Sequence, residues 1–244
     1  NGLFMQGRWR ESDHHYRQSL TLFTQMGDIY NQAIVQNNLG GIALKQGRLD
    51  AALGYYERAV RLLESIGSSP AIIGILHMNL GNTYLRQREV NAADEHLQQS
   101  LDLFDQVQSR EYLAETYGYL AELAVLRGDL AQAQARGEHS LDLARELGMS
   151  NEEGRSLRIL GEIALARQDF HQADQSFRDS YTILTNRGDE YESACTQLAL
   201  AQLYAVLGQV QQAAAALAAC TVVFERLEAA FDLERARQLQ IHLE

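Results

Sequence analysis

The sequence has 244 residues, of which 46% are hydrophobic and 22% are charged, so it can bury a core and does not have the composition of a disordered segment. Its 21 lysines and arginines against 32 aspartates and glutamates give a formal net charge of −11, which disfavours direct binding to nucleic acid. Two cysteines and the lack of any apolar run of membrane-spanning length predict a cytoplasmic protein without a membrane partner.

The chain repeats itself about every 40 residues. A leucine followed by a small residue returns at Leu39-Gly40, Leu80-Gly81, Leu120-Ala121, Leu160-Gly161 and Leu200-Ala201. An alanine follows thirteen residues after each leucine, at Ala52, Ala93, Ala133, Ala173 and Ala213. A second small residue follows seven positions later, at Ala59, Ser100, Ser140, Ser180 and Cys220. Five matches at fixed offsets indicate an internal repeat.

Each repeat is predicted to contain two helices, because apolar residues recur at helical spacing between regularly placed breaks. Glycine closes many of these segments, for example at Gly47 inside a repeat and at Gly67 between two repeats. Pro70, the only proline, suits a helix start. The predicted units are a partial repeat over 1–28, full repeats over 29–68, 69–109, 110–149, 150–189 and 190–229, and the start of another over 230–244. Because both ends fall within a repeat, we expect the chain to be part of a longer protein.

The small residues are expected to let two helices approach closely, while a large residue fills the wedge between them. Tyr56 and Phe177 occupy this wedge position in two repeats. Gly137 stands there in another, and we expect a neighbouring side chain such as Tyr117 to fill its space.

These positions resemble the tetratricopeptide repeat (TPR) signature of Leu-Gly, Ala, an aromatic residue and Ala. Leu39-Gly40 with Ala52, Tyr56 and Ala59 carries the resemblance. It implies an all-α, right-handed superhelical solenoid of antiparallel helix pairs. The repeat of about 40 residues is similar to that of bacterial signalling regulators and kinesin-light-chain-like scaffolds.

The resemblance also implies that the first helix of each repeat lines a concave groove. Counting from the Leu-small pair, the predicted peptide-binding residues are Asn38, Lys45, Asn79, Asn82, Arg86, Tyr119, Glu122, Arg155, Arg158, Glu162 and Gln202. In relatives with the longer repeat, asparagines matching Asn38 and Asn79 grip the backbone of an extended peptide. The chemistry suits this role because an amide both donates and accepts hydrogen bonds. A solvated helix face without a specific ligand is the alternative.

The primary hypothesis is an interaction module that binds an extended peptide or a partner helix. Its ligand should carry mixed charge, since the predicted groove contains both arginines and glutamates. The alternative is the sensor arm of a bacterial signalling regulator or ATPase, which binds a small effector or the protein's own other domains.

Catalysis, a cofactor and a metal site are not predicted, because no nucleophile motif, phosphate loop or zinc spacing is present. His14 and His15 are not expected to bind a metal, because adjacent side chains on a helix point in different directions. His77 and His96 are interpreted as structural residues without an evident partner. Cys220 replaces a small packing residue and is expected to be an inert buried thiol. The alanine-rich run over 213–220 has two interpretations, contact with a second chain or simply the high helix propensity of alanine, and the second is favoured.

Overall fold

The computed structural model describes residues 9–243, which contain twelve α-helices and no β-strand. The helices are α1 (Trp9–Met26), α2 (Ile29–Lys45), α3 (Leu49–Ser65), α4 (Pro70–Gln87), α5 (Val90–Val107), α6 (Arg110–Leu126), α7 (Leu130–Glu146), α8 (Ser150–Ala166), α9 (Phe170–Asn186), α10 (Glu190–Val206), α11 (Val210–Leu227) and α12 (Ala230–Ile241). The all-α prediction is therefore confirmed.

The helices pack against their neighbours in chain order and form two compact units, Asn1–Tyr112 and Leu113–Glu244, here called unit 1 and unit 2. In unit 1, α2 packs on α3 and α4 on α5, and α3 also contacts α4 of the following repeat. In unit 2, α8 packs on α9 and α10 on α11, while α9 contacts α10. Stacking of neighbouring pairs buries the apolar side of each pair, which could not be buried alone.

Helix ends follow two patterns. Seven breaks use a glycine with positive φ, as at Gly47 and Gly67, where no side chain opposes the left-handed conformation. Four breaks lack a suitable glycine and place another residue there, namely Arg88, Gln108, Gln168 and Glu228. An L-residue in this conformation costs roughly 1–2 kcal/mol, so the surrounding packing must hold these turns in place.

The residues of the repeat signature form the core. All five alanines of the first small position and all five residues of the second are fully buried. A Cβ atom added to Gly40 would lie 2.5 Å from the Tyr56 ring, and one added to Gly161 would lie 2.5 Å from the Phe177 ring. The predicted contact between a small residue and an aromatic wedge is confirmed in both units.

The space beside Gly137 is filled differently from our prediction. The nearest side chains are Leu160 and Ile163 of the next repeat, and an added Cβ would lie 2.9 Å from Leu160 Cδ2. Tyr117 instead lies edge-on to His139, with 4.4 Å between the ring centroids. Leucine fills this position because α8 packs directly against α7 and brings an apolar side chain into the gap.

Two remaining predictions concern the ends and the membrane. Residues 1–8 of the predicted partial repeat over 1–28 lie outside the described residues, and α12 lies within the segment predicted to begin a further repeat. Within residues 9–243, every helix is too short or too polar to cross a membrane.

Candidate functional site

The first helices of three successive repeats in unit 2 share a polar surface, here called the charged face. It comprises Glu115 and Tyr119 on α6, Glu152, Arg155 and Arg158 on α8, and Glu192 on α10. Within each helix these residues are spaced by three, four or six positions, which places them towards one side. Three of them, Tyr119, Arg155 and Arg158, were predicted site residues.

Arg155 lies at the centre of the charged face. Its Nη1 atom donates to Glu115 Oε1 at 2.8 Å and to Glu152 Oε2 at 3.1 Å, and its Nε atom lies 4.0 Å from Glu192 Oε2. The guanidinium also lies over the Tyr119 ring, 5.1 Å from its centroid. One arginine thus links side chains from all three first helices.

Two further contacts complete the charged face. Arg158 Nη2 lies 2.8 Å from Glu192 Oε2, and Arg158 Nη1 donates to the Glu192 carbonyl oxygen at 3.2 Å. The Tyr119 hydroxyl donates to Glu115 Oε1 at 2.9 Å. Both arginines therefore already have carboxylate partners, and any ligand must compete with these partners or complement them.

The charged groups are largely removed from water. Side-chain exposure is 15% for Arg155, 12% for Arg158 and 13% for Glu192. Burial raises the pKa of Glu152 to about 7, and Arg155 opposes this change. Burial also raises the pKa of the Tyr119 phenol well above its usual range. Such groups are costly to bury unless they are paired, so this surface differs from an ordinary solvated helix face.

The other predicted residues of unit 2 lie further along the same first helices. Glu122 on α6, Glu162 on α8 and Gln202 on α10 occupy equivalent positions and are half-buried. Burial raises the pKa of Glu162, Arg158 opposes the change, and Glu122 adds to it, which places these carboxylates in one electrostatic environment.

In unit 1 the first helices meet through amides. Asn79 Nδ2 on α4 donates to Asn37 Oδ1 on α2 at 2.9 Å, and both residues are half-buried. Sequence reasoning selected Asn79 but assigned no role to Asn37. Among the other predicted residues, Asn82 is buried at 9% exposure and the rest are half-buried, namely Asn38, Lys45 and Arg86.

The expectation that His77 and His96 lack a partner is wrong. Their Nδ1 atoms lie 3.0 Å apart, so the N–H of one imidazole donates a hydrogen bond to the nitrogen of the other, and the His96 ring lies parallel to the Tyr84 ring. Burial and the neighbouring His96 lower the pKa of His77 to about 4. The contact joins α4 to α5 across 19 residues, a separation at which sequence spacing carries no signal.

The remaining candidates behave as packing or surface residues. Cys220 is buried, and burial raises the pKa of its thiol to about 11, as expected of an inert cysteine. His14 and His15 are on the surface of α1. Among residues 9–243, no group of three or more histidine, cysteine, aspartate or glutamate side chains could hold a metal ion.

Antiparallel helix pairs with small-residue contacts, stacked so that first helices share a face, define a tetratricopeptide repeat protein. Residues 2–151, more than half of the chain, match the family model of the MalT-like TPR region. The chain therefore belongs to this TPR family, and the resemblance inferred from the repeat signature is confirmed.

A curated relative and several solved structures are similar to this chain. The regulatory protein AfsR of Streptomyces griseus is 25% identical over 193 residues, which cover 79% of this chain and only 19% of AfsR. The apo form of RapI has a TM-score of 0.76 at 14% identity and covers 93% of this chain and 80% of RapI. NprR with its cognate peptide NprX has a TM-score of 0.75 at 14% identity, over 92% of this chain and 66% of NprR. These structural likenesses show the fold.

Proposed function

We propose that this chain is a protein-interaction module that binds an extended peptide or a partner helix on its first-helix faces. The observation that carries the proposal is that polar side chains of successive first helices meet. Asn79 contacts Asn37 in unit 1, and Arg155 contacts Glu115 in unit 2. In each unit the first helices therefore present a joined polar surface rather than separate solvated side chains.

The chemistry of these faces suits a peptide. An asparagine amide offers two donors and one acceptor, so the hydrogen bond between Asn79 and Asn37 leaves capacity for peptide groups of a ligand. The charged face carries both signs, which favours a ligand of mixed charge. NprR, whose fold is similar, binds the peptide NprX, and this supports the same mode here.

A second candidate function is a sensor arm within a larger regulator. It is favoured by the match to AfsR, a regulatory protein of which this chain spans about one fifth. A signal transduction ATPase of Pyrococcus horikoshii that carries a TPR sensor is also similar in fold, with a TM-score of 0.63 at 14% identity over 90% of this chain and 33% of that protein. In this case the protein's own other domains, or a small effector, would occupy the first-helix faces.

The test is selection of peptides from a random twelve-residue display library with the purified chain as target. Each selected peptide is then titrated against the parent protein, the Asn79→Ala variant and a Gln98→Ala control. Gln98 lies exposed on the second helix α5 and, like Asn79, donates one side-chain hydrogen bond. The two substitutions therefore remove similar chemistry from different faces.

We expect peptides that bind the parent to lose at least tenfold in affinity for Asn79→Ala and less than twofold for Gln98→Ala. Equal affinity for all three proteins would contradict binding on the first-helix face of unit 1. If no peptide is selected, but the rest of the full-length polypeptide binds this chain when added as a separate protein, the sensor arm replaces the peptide-binding module.

A further inference from the structure

The charged face holds an excess of negative charge. Three carboxylates, those of Glu115, Glu152 and Glu192, surround two guanidinium groups, so the carboxylates of the charged face outnumber its guanidinium groups by one. Arg155 cannot satisfy them equally, since it lies 2.8 Å from Glu115, 3.1 Å from Glu152 and 4.0 Å from Glu192. An additional positive group would correct this imbalance.

Glu152 is the carboxylate with the poorest set of partners. It is only 6% exposed, and its Oε2 atom is paired with Arg155. Its Oε1 atom makes no hydrogen bond within residues 9–243 and faces Gly118 of α6, at 3.6 Å from the position of an added Cβ. A buried carboxylate oxygen without a donor is unfavourable when charged, so ionisation of Glu152 is resisted by its position.

The groups that face Glu152 come from three helices. They are Glu115 and Tyr119 on α6, Arg155 and Arg158 on α8, and Glu192 on α10. Burial raises the pKa of Glu152 to about 7, Arg155 lowers it, and the two other carboxylates raise it again. At neutral pH, Glu152 is therefore protonated in a fraction of the molecules and ionised in the rest.

We propose that the charged face of unit 2 binds the cationic side chain of a peptide in exchange for the proton on Glu152. The cation contacts the most accessible carboxylate of the network, Glu115, which is 26% exposed. Its charge stabilises ionised Glu152, whose proton leaves to solvent while the guanidinium or ammonium group of the ligand stays charged. This inference rests on the proposed peptide-binding function and adds the ligand's charge and its coupling to pH.

The coupling between ionisation of Glu152 and cation binding determines how strongly the affinity should depend on pH. For a carboxyl group with a pKa of about 7, the ionised fraction rises roughly tenfold between pH 6 and pH 8. Affinity for the cation should rise by about the same factor, and binding at pH 7 should release about half a proton.

The experiment is isothermal titration of the protein with a tetra-arginine peptide at pH 6, 7 and 8, in two buffers that differ in ionisation enthalpy. A tetra-citrulline peptide is the uncharged probe of the same shape. Glu152→Gln mimics the protonated acid, and Glu153→Gln is a control with the same change of net charge at the next position, where the carboxylate pairs with Arg145 outside the charged face. Thermal unfolding of each variant checks that it is folded.

We expect tetra-arginine to bind the parent and the Glu153→Gln control about tenfold more tightly at pH 8 than at pH 6, with proton release. Glu152→Gln should bind with the weaker affinity at every pH, and tetra-citrulline should bind weakly throughout. Should the pH dependence survive in Glu152→Gln, or should tetra-citrulline bind equally well, the proposal is wrong. Peptides that bind in an Asn79-dependent manner but without pH dependence would refute it while leaving the proposed function standing.

Discussion

The two units share the packing of small residues against large ones, here called the packing frame, but differ in the chemistry of their first-helix faces. In unit 1, Gly40 accepts the Tyr56 ring, and in unit 2, Gly161 accepts the Phe177 ring, with the same 2.5 Å approach to an added Cβ. The polar contacts between first helices are neutral amides in unit 1 and buried ion pairs in unit 2. The packing of these pairs is therefore set by residue size, whereas the chemistry of the first-helix faces differs between the units, and we propose that binding specificity resides in those faces.

The two kinds of contact also differ in how much stability is lost when one partner is removed. A hydrogen bond between two half-buried amides contributes about 1 kcal/mol to stability. When one partner is removed, the other amide can still hydrogen-bond to water, so little further stability is lost. Removing one partner from a buried charge network leaves an uncompensated ion, which costs about 3–5 kcal/mol. Unit 2 thus carries more buried, imperfectly compensated charge than unit 1, which is the basis of the response to protons and cations that we propose for its charged face.

The largest effect is expected from breaking the shared frame. Gly40→Ala and Gly161→Ala should each destabilise their unit by about 2 kcal/mol, because overpacking against a rigid ring costs about 3 kcal/mol and alanine recovers about 1 kcal/mol of helix propensity. Urea denaturation of each variant measures the free energy of unfolding. Similar losses in both units are the expected result, and a loss in only one would show that the frame is not shared.

Gly137→Ala is the matched control for this pair. Its added Cβ would meet the end of the Leu160 side chain at 2.9 Å, and a flexible leucine can move where a ring cannot. The strain and the gain in helix propensity should nearly cancel, for a net change within about 1 kcal/mol. A loss as large as that of Gly161→Ala would mean that Leu160 is held rigidly.

The packing frame could be predicted from the sequence because its residue types recur in every repeat. Leu39, Ala52 and Ala59 recur at fixed offsets, and a buried small residue can be recognised by its size alone. Helix ends were predicted less completely, since Arg88 and Gln168 adopt the left-handed conformation where a glycine would be expected.

The faces were predicted only in part. Arg155 and Arg158 were selected by offset, but Glu152 and Glu192 were missed because they precede the positions that the resemblance marks on their helices. The pairing of His77 with His96 depends on how two helices of a hairpin rotate against each other. Periodicity defines the side of a helix, whereas ion pairs depend on the register between helices.

An intermediate effect is expected from pH, with opposite sign in the two units. His77 has a pKa of about 4 in the folded protein and about 6.5 when unfolded, so the unfolded state binds more protons between these values. Unit 1 should lose stability as pH falls from 6.5 towards 4, on the order of 1–2 kcal/mol once partial solvent exposure is allowed for.

In unit 2, Glu152 gives stability the opposite dependence on pH. Its pKa is about 7 in the folded protein and about 4.5 when unfolded, so the folded state binds more protons between these values. Unit 2 should therefore gain stability as pH falls from 7 towards 4.5. Hydrogen exchange of peptides from α4–α5 and from α8–α10 at pH 7 and pH 5, corrected for intrinsic rates, measures both units in one protein. His77→Asn should weaken the first trend and Glu152→Gln the second, since burial also lowers the pKa of His96 and raises that of Glu162. Trends of the same sign in the two units would contradict this account.

The smallest effect is expected from the amide contact of unit 1. Asn79→Ala removes one hydrogen bond to Asn37 from a half-buried position and leaves a neutral amide that water can reach, so its cost should be about 1 kcal/mol or less. Urea denaturation beside the Gln98→Ala control measures it. A cost above about 3 kcal/mol would mean that Asn79 is a packing residue, since loss of one neutral hydrogen bond does not reach that value. A small cost would instead mean that any tenfold loss of peptide affinity in Asn79→Ala arises at the face itself, because the helices that carry it remain folded.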